Sequence, residues 1–305
     1  MEKFTLHILG CGSALPTGLH LPSSQIISLR ERLYMIDCGE GTQLQMRKAG
    51  LKFSRLSCIF ITHLHGDHCF GLIGLISTFS LLGRTTPLHV YAPAELEQVL
   101  KLQLSTFCYG LSFPIEFHAI NTTSSQVIYE DKALTVQTIP LKHRIACCGF
   151  IFREKPSLPH IRRDMIDFYQ IPLYAINQIK QGADWTTTEG EHVPNRFLVY
   201  EAQPSRSFAY CSDTAYSPSI IPLIRNVNLL YHEATFGENN KQRAKETYHS
   251  TATEAAQIAQ EAAVGKLLIG HYSARYTDTT PLLEEAQAIF PHTIAATEGM
   301  ILHIE

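Results

Sequence analysis

Residues 60–72 read FITHLHGDHCFGL and set His63, His65, Asp67 and His68 within six positions, directly after an apolar run. Imidazole nitrogens and carboxylate oxygens suit zinc, and a catalytic zinc site needs only three such ligands plus a water. Four candidates exceed one site. The surplus points to two metals, provided that further ligands arrive from elsewhere in the chain. With 15 histidines in 305 residues accidental clusters occur, yet an H-x-H-x-D-H run arises by chance only on the order of a few times per thousand such chains. A solvated, histidine-rich loop is the competing reading.

Such ligands have to be delivered by rigid elements, and the chain can build them. Hydrophobic residues make up 45% of it, enough for a sizeable core in one large domain or two small ones. The first third reads as strands and turns: FTLHIL, QIISL and RLYMID, then CGEGTQLQMRKAG as a turn leading into a short helix, then LSCIFIT as a strand ending at the cluster. FGLIGLISTFSLLG reads as a helix in which Gly71 and Gly74 allow close packing, followed by strand LHVYAP and helix AELEQVLKLQLSTF. IEFHAI, QVIYE, LTVQTIPL and CGFIFRE are further strands. After residue 204 come strands SFAYCSD and NLLYHEAT, helix TATEAAQIAQEAA with Gly265 as its C-cap, strand KLLIGHYS, helix TPLLEEAQAIF and closing strands TIAAT and MILHI. Strand runs followed by helices in each half predict two sheets packed face to face with helices outside. Residues 153–204, with five prolines, the single tryptophan and weak periodicity, read as a long insertion.

Three strand ends offer more ligands: His143 after LTVQTIPLK, Asp213 after SFAYCS and His271 after KLLIG. Each alone could equally be a capping or locally satisfied residue. The composition excludes other classes. No apolar run reaches membrane-spanning length or makes a signal-peptide core, so a cytoplasmic protein without membrane contact is expected. Eight cysteines without a C-x-x-C read as reduced and mostly buried, and a net charge of −3 argues against nonspecific coating of nucleic acid.

The motifs LGCGSALPT, DCGEGTQLQM, THLHGDH, LKHRIACCGF, CSDT, HEAT, HST and GHYSARY together resemble the metallo-β-lactamase superfamily and, within it, the ribonuclease Z branch. The resemblance covers nearly the whole chain. It implies an α+β fold, the four-layer αββα sandwich, as a single domain over residues 1–305, with residues 153–204 as a protruding, flexible exosite arm. It implies two Zn2+ per subunit, with Mn2+ or another divalent metal as substitutes and no organic cofactor. One ion takes His63, His65 and His143, the other Asp67, His68 and His271, and Asp213 bridges them. The implied reaction is endonucleolytic removal of 3′ trailers from precursor tRNA after the discriminator nucleotide, leaving a 3′ hydroxyl. Two metals suit an in-line displacement at phosphorus, with Asp67 orienting the attacking water as base.

The departing oxygen needs a proton. Thr251 and Glu254 match a capping box, which sets His249 at a helix N-terminus. By the resemblance Glu233 is the carboxylate that steadies it as general acid. Arg153, Lys155, Arg162, Arg163 and Lys180 are candidate phosphate contacts of the arm, with Ser273 and Arg275 from SARY as further candidate substrate contacts. A homodimer is also implied. The chain departs from the family pattern at His20 and Leu21, where an Arg-Asn pair is common, and in lacking a Gly-Pro arm tip. The alternatives are a broad metal-dependent phosphodiesterase or other superfamily hydrolase, and a noncatalytic RNA-binding protein.

Overall fold

The computed structural model describes residues 3–108, 110–202 and 204–305. The apolar runs form two seven-stranded sheets. In the first, β1 (Phe4–Gly10), β2 (Ser24–Leu29), β3 (Arg32–Ile36), β4 (Leu56–Phe60), β5 (Leu88–Ala92) and β6 (Ile115–Ala119) follow in order, and the last strand of the chain, β14 (Ile301–His303), pairs beside β1. The second sheet runs β7 (Val127–Glu130), β8 (Leu134–Pro140), β9 (Cys148–Glu154), β10 (Ser207–Cys211), β11 (Leu229–Glu233), β12 (Lys266–Gly270), β13 (Thr293–Ala295). Strands β3 to β6 are parallel and need crossovers, which α1 (Thr42–Lys48), α2 (Gly66–Cys69), α3 (Leu72–Leu81) and α4 (Glu95–Phe107) supply.

Side-chain alternation explains the layers. Phe4, Leu6, Ile8, Tyr34 and Phe60 of the first sheet meet Leu134, Phe150, Phe152, Phe208 and Tyr231 of the second in one buried cluster. The opposite face of the first sheet, through Leu33, Met35, Ile59 and Val90, packs on α3 and α4. Outside the second sheet lie α6 (Ala252–Glu261) and α7 (Thr280–Gln287), where Ala255, Ala256 and Ala259 allow close approach. The result is the four-layer helix, sheet, sheet, helix arrangement that the strand and helix pattern predicts. The two closing strands join opposite sheets, a choice that local pattern does not contain.

One expected cap moves. Helix α6 ends at Glu261, and Ala263, not Gly265, adopts the left-handed conformation with φ 50°. Gly265 answers a different constraint: a Cβ there would lie 2.6 Å from the Asn228 carbonyl oxygen. The glycine reflects close backbone approach at the start of β12.

Residues 154–205 form a second compact unit. It contains a short helix, Arg163–Phe168, helix α5 (Leu173–Lys180) and two short ladders, His160–Ile161 with Val199–Tyr200 and Trp185–Thr186 with His192–Val193. Ile171, Ala175, Ile179, Val193 and Leu198 are its buried core. Two-residue strands and helices of six and eight residues are too short to print a period, which is why the segment reads as patternless. Among the described residues no helix is long and apolar enough to cross a membrane.

Asp131, in the β7–β8 turn, ties the sheets together at one edge. It accepts from Arg32 Nη1 at 2.8 Å and Tyr34 Oη at 2.7 Å, both on β3, and from Tyr129 Oη and the N–H groups of Ala133 and Leu134. Burial raises its carboxyl pKa, but the Leu134 N–H, the Tyr34 hydroxyl and the remaining donors outweigh this and hold it below the ordinary value. The stabilisation is therefore complete above the unfolded-state pKa and is lost as pH falls through the depressed folded value. Asp131→Asn is expected to lower stability by about 2 kcal/mol at neutral pH and to flatten the acid limb of the stability curve, read by urea titration across pH.

Candidate metal centre

One rim of the sandwich collects the candidate ligands because strand ends converge there. β10, β11 and β12 are parallel and in register, so Asp213, Glu233 and His271 emerge side by side at their C-terminal ends. In the other sheet β3 and β4 are parallel, and just beyond them stand Asp37 and, after Ile61 and Thr62, His63. The four-residue α2 carries Asp67 and His68, and His143 follows β8.

Two ligand groups result, and Asp213 reaches both. His65 Nδ1 lies 3.0 Å from His63 Nε2 and 3.3 Å from His143 Nε2. Asp213 Oδ2 is 3.6 Å from His63 Nε2 and 3.7 Å from His143 Nε2. Its other oxygen, Oδ1, is 3.3 Å from His68 Nε2 and 3.1 Å from His271 Nε2, and Asp67 Oδ2 faces the same two rings at 3.2 and 3.5 Å. All seven residues thus come together.

Whether they fit a metal depends on where the protons are, and the hydrogen-bond network assigns them. Thr62 Oγ1 donates to Asp37, so it accepts from His63 Nδ1 at 2.9 Å. Thr235 Oγ1 donates to Glu233 at 2.6 Å and so accepts from His271 Nδ1 at 2.9 Å. His68 Nδ1 donates to Asp37 at 2.8 Å and His143 Nδ1 to the Tyr248 carbonyl at 2.9 Å. In these four rings the remote Nδ1 carries the proton and Nε2 turns a lone pair inward, whereas His65 turns Nδ1 inward. Nε2 of His68 and of His271 are buried without a hydrogen-bond partner. Unpartnered, inward-facing imidazole lone pairs beside carboxylates are a cation site by their chemistry. Burial pushes His63 and His143 below the ordinary histidine pKa, keeping them neutral donors.

The backbone is strained in support of this. Asp37, Tyr248 and His271 all have φ near 60°, in the left-handed region that side chains seldom occupy. Asp37 and His271 project ligand or acceptor from that bend, and Tyr248 turns its carbonyl toward His143.

Beside the ligands, His249 Nδ1 donates to Glu233 Oε1 at 2.8 Å, and Glu233 is fully buried. Thr251 and Glu254 form the expected capping box of α6. Burial lowers the His249 pKa, but the Glu233 charge and hydrogen bond overcome it and raise the value to about 9. The carboxylate, not the helix terminus, decides this imidazole's charge.

A cleft of about 330 Å³ opens over Asp67, Asp213, His249 and His271, with Arg144, Arg243, Ser273 and Arg275 on its walls. Ser273 and Arg275 thus line this cleft, with Arg275 Nε donating to Ser273 Oγ at 3.1 Å. Arg153 falls outside the second compact unit: it lies on β9, and its Nη2 donates to the Leu223 carbonyl at 3.0 Å. Lys155, Arg162, Arg163 and Lys180 lie in the second unit, where Arg162 pairs with Asp164 at 2.8 Å. His20 Nδ1 meets Glu298 at 3.0 Å and the Leu21 N–H donates to the same carboxylate, so this departure pins a loop. Sequence reasoning assigned no role to Asp37, Thr62, Thr235, Arg144 or Arg243. The first four sit inside or next to the quoted motifs, and only pairing across the chain reveals their task.

The chain is similar to several known proteins. A ribonuclease Z from Bacteroides fragilis is 57% identical over 304 residues, covering 100% of both chains. The human tRNase Z, short form, superposes with a TM-score of 0.72 at 24% identity over 99% of each chain. YhfI from Bacillus subtilis, a metallo-β-lactamase fold protein, superposes with a TM-score of 0.68 at 18% identity over 99% of each chain. The family described as Anti-Pycsar protein Apyc1 matches residues 4–158, a half that includes His63, His65, Asp67, His68 and His143 but neither Asp213, Glu233, His249 nor His271.

Asp37→Asn keeps the side-chain shape and tolerates a positive φ, but it removes the charge that orients His68 and, through Thr62, His63. Metal affinity is expected to fall by roughly 10- to 100-fold, measured by chelator competition, with an unchanged circular dichroism spectrum.

Proposed function

Because the chain belongs to the ribonuclease Z family, we propose that its metal centre cuts precursor tRNA after the discriminator nucleotide and leaves a 3′ hydroxyl. The protein is a metal-dependent hydrolase and endoribonuclease with the metallo-β-lactamase fold. In this reading two zinc ions are held per chain. His63, His65 and His143 hold one, Asp67, His68 and His271 the other, and Asp213 is shared. The observation that carries it is the division of Asp213, one oxygen toward each group of ligands. Imidazole and carboxylate donors suit zinc, with manganese as the alternative. When bound, the ions supply Lewis acidity, lowering the pKa of a water and offsetting charge on the phosphodiester.

The chain's own groups do the rest. Asp67 orients the attacking water and takes its proton. His249, gripped at Nδ1 by Glu233, presents Nε2 to the departing 3′ oxygen and protonates it. A pKa raised to about 9 keeps that proton in place at neutral pH, ready for transfer to the departing oxygen. Arg144, Arg243 and Arg275 in the cleft face the phosphates flanking the cut. The unit of residues 154–205 is the arm that grips tRNA through backbone phosphates, with Lys155, Arg162, Arg163 and Lys180 as contacts. Presentation of tRNA by one subunit to the other makes the working form a homodimer, and the substrate puts it in the cytoplasm.

The testing experiment is incubation of the metal-loaded protein with a 3′-extended precursor tRNA, mapping the cut to the nucleotide. One cut after the discriminator, abolished by Asp67→Ala, is expected. Exonucleolytic trimming or an intact precursor would refute the reading. His249→Ala is expected to slow cleavage by about 10²- to 10⁴-fold at unchanged metal content, since it removes the acid and not a ligand. Replacing residues 154–205 by a short linker is expected to weaken tRNA binding and flatten its salt dependence while sparing hydrolysis of a small phosphodiester.

A further inference from the structure

Away from the rim, two strands each end up with a histidine that the reaction does not use. β5 and β6 are parallel and pair His89 with Glu116 and Tyr91 with His118. Period-two alternation sets His89, Tyr91, Glu116 and His118 on one face, while Leu88, Val90, Ile115 and Phe117 turn to the helices. β6 is the edge strand of its sheet, and the cluster is open to solvent, His89 being 32% and Glu116 48% exposed.

The distances are those of ligands around an absent ion. His89 Nδ1 lies 3.2 Å from His118 Nε2 and 3.2 Å from Glu116 Oε2. Ligands about 2.0–2.1 Å from a tetrahedral zinc stand about 3.3–3.4 Å from one another. Hydrogen bonding does not account for the cluster as well. If His89 Nδ1 carries a proton it serves Glu116, and the Nε2 lone pair of His118 then shares that same proton at best. If His118 donates to His89, the Glu116 carboxylate faces a lone pair. Neutral rings leave one contact unsatisfied in either arrangement, whereas a cation satisfies all three atoms together.

One of the ligands, His118, is also held in place before any ion arrives. The His118 ring stacks on Tyr91 at 4.4 Å and 10°, and Tyr91 stacks on buried Phe60 at 4.9 Å and 20°. That pile runs into the core between the sheets, so His118 has little freedom to lose on binding. Two histidines and a carboxylate with an open fourth position are a zinc-type donor set.

We infer that His89, Glu116 and His118 form a further binding site for a divalent transition metal of the zinc class, separate from the catalytic centre. The ion clips edge strand β6 to β5. Its effect is on stability: a ligand that binds only the folded chain raises the unfolding temperature with its free concentration.

The test uses the full chain with its catalytic centre already zinc-loaded, dialysed against micromolar free Zn2+ and assayed by elemental analysis and thermal unfolding. Wild type is expected to hold one zinc equivalent more than His118→Ala and than Glu116→Ala, and to show a zinc-dependent rise in unfolding temperature that both variants lose. Binding at this site should weaken by more than the roughly 10- to 100-fold that losing an outer-shell partner causes. Precursor tRNA cleavage stays at the wild-type rate in both variants. Glu116 is exposed enough for its replacement to leave folding intact, so that variant decides the matter should His118→Ala misfold. A retained zinc equivalent in Glu116→Ala, or the same zinc-dependent shift there as in wild type, would overturn the assignment.

Discussion

A carboxylate with no exposed surface is tolerated only if nearly every lone pair is engaged, and Asp37 meets that condition from both sheets. It accepts from the Thr62 N–H at 2.9 Å, the Thr62 hydroxyl, His68 Nδ1 at 2.8 Å and, from β10 across the sandwich, Tyr210 Oη at 3.3 Å. Glu233 is its counterpart in the second sheet, accepting from the N–H groups of Thr214 and Thr235, the Thr235 hydroxyl and His249. Between them these two buried anions set the orientation of His63, His68, His249 and His271, two of them through threonine hydroxyls. The inward lone pairs are a consequence of where the carboxylates sit.

The same logic explains why strain is tolerated at the rim. Left-handed backbone at Asp37, Tyr248 and His271 costs of order 1–3 kcal/mol each, and the hydrogen bonds that depend on it are the ones that aim the rings. A sandwich whose two sheets share a large aromatic core can hold such bends at its edge without unfolding them. Phe60, Phe150, Phe152 and Phe208 pack together in that core. The rigid layer pair and the strained rim are therefore one construction.

Division of labour between the two compact units follows from their sizes. The sandwich has cores on both sides of its first sheet and can hold reactive groups rigidly. Among the described residues of 154–205, five apolar side chains form the buried core, enough for a small folded unit but without the layered support that the ligand-bearing rim has.

Local sequence determined what local physics controls. Apolar runs and their alternation identified the strands, Thr251 and Glu254 announced the start of α6, and polar residues directly after apolar runs marked His63, His143, Asp213 and His271 as rim residues. The metal-binding residue types were legible for the same reason: a strand end exposes whatever follows it. Tertiary structure alone decided the pairings. That Asp37 orients His68, that Tyr248 lends its carbonyl to His143 and that His89 meets His118 depend on contacts between residues 29 to 105 apart in the chain. The closing strands entered opposite sheets, and Gly265 served close approach to Asn228 rather than a helix cap. Periodicity reports which face a residue occupies within its own element, while the partner across that face is set by strand order and register, which no local window contains.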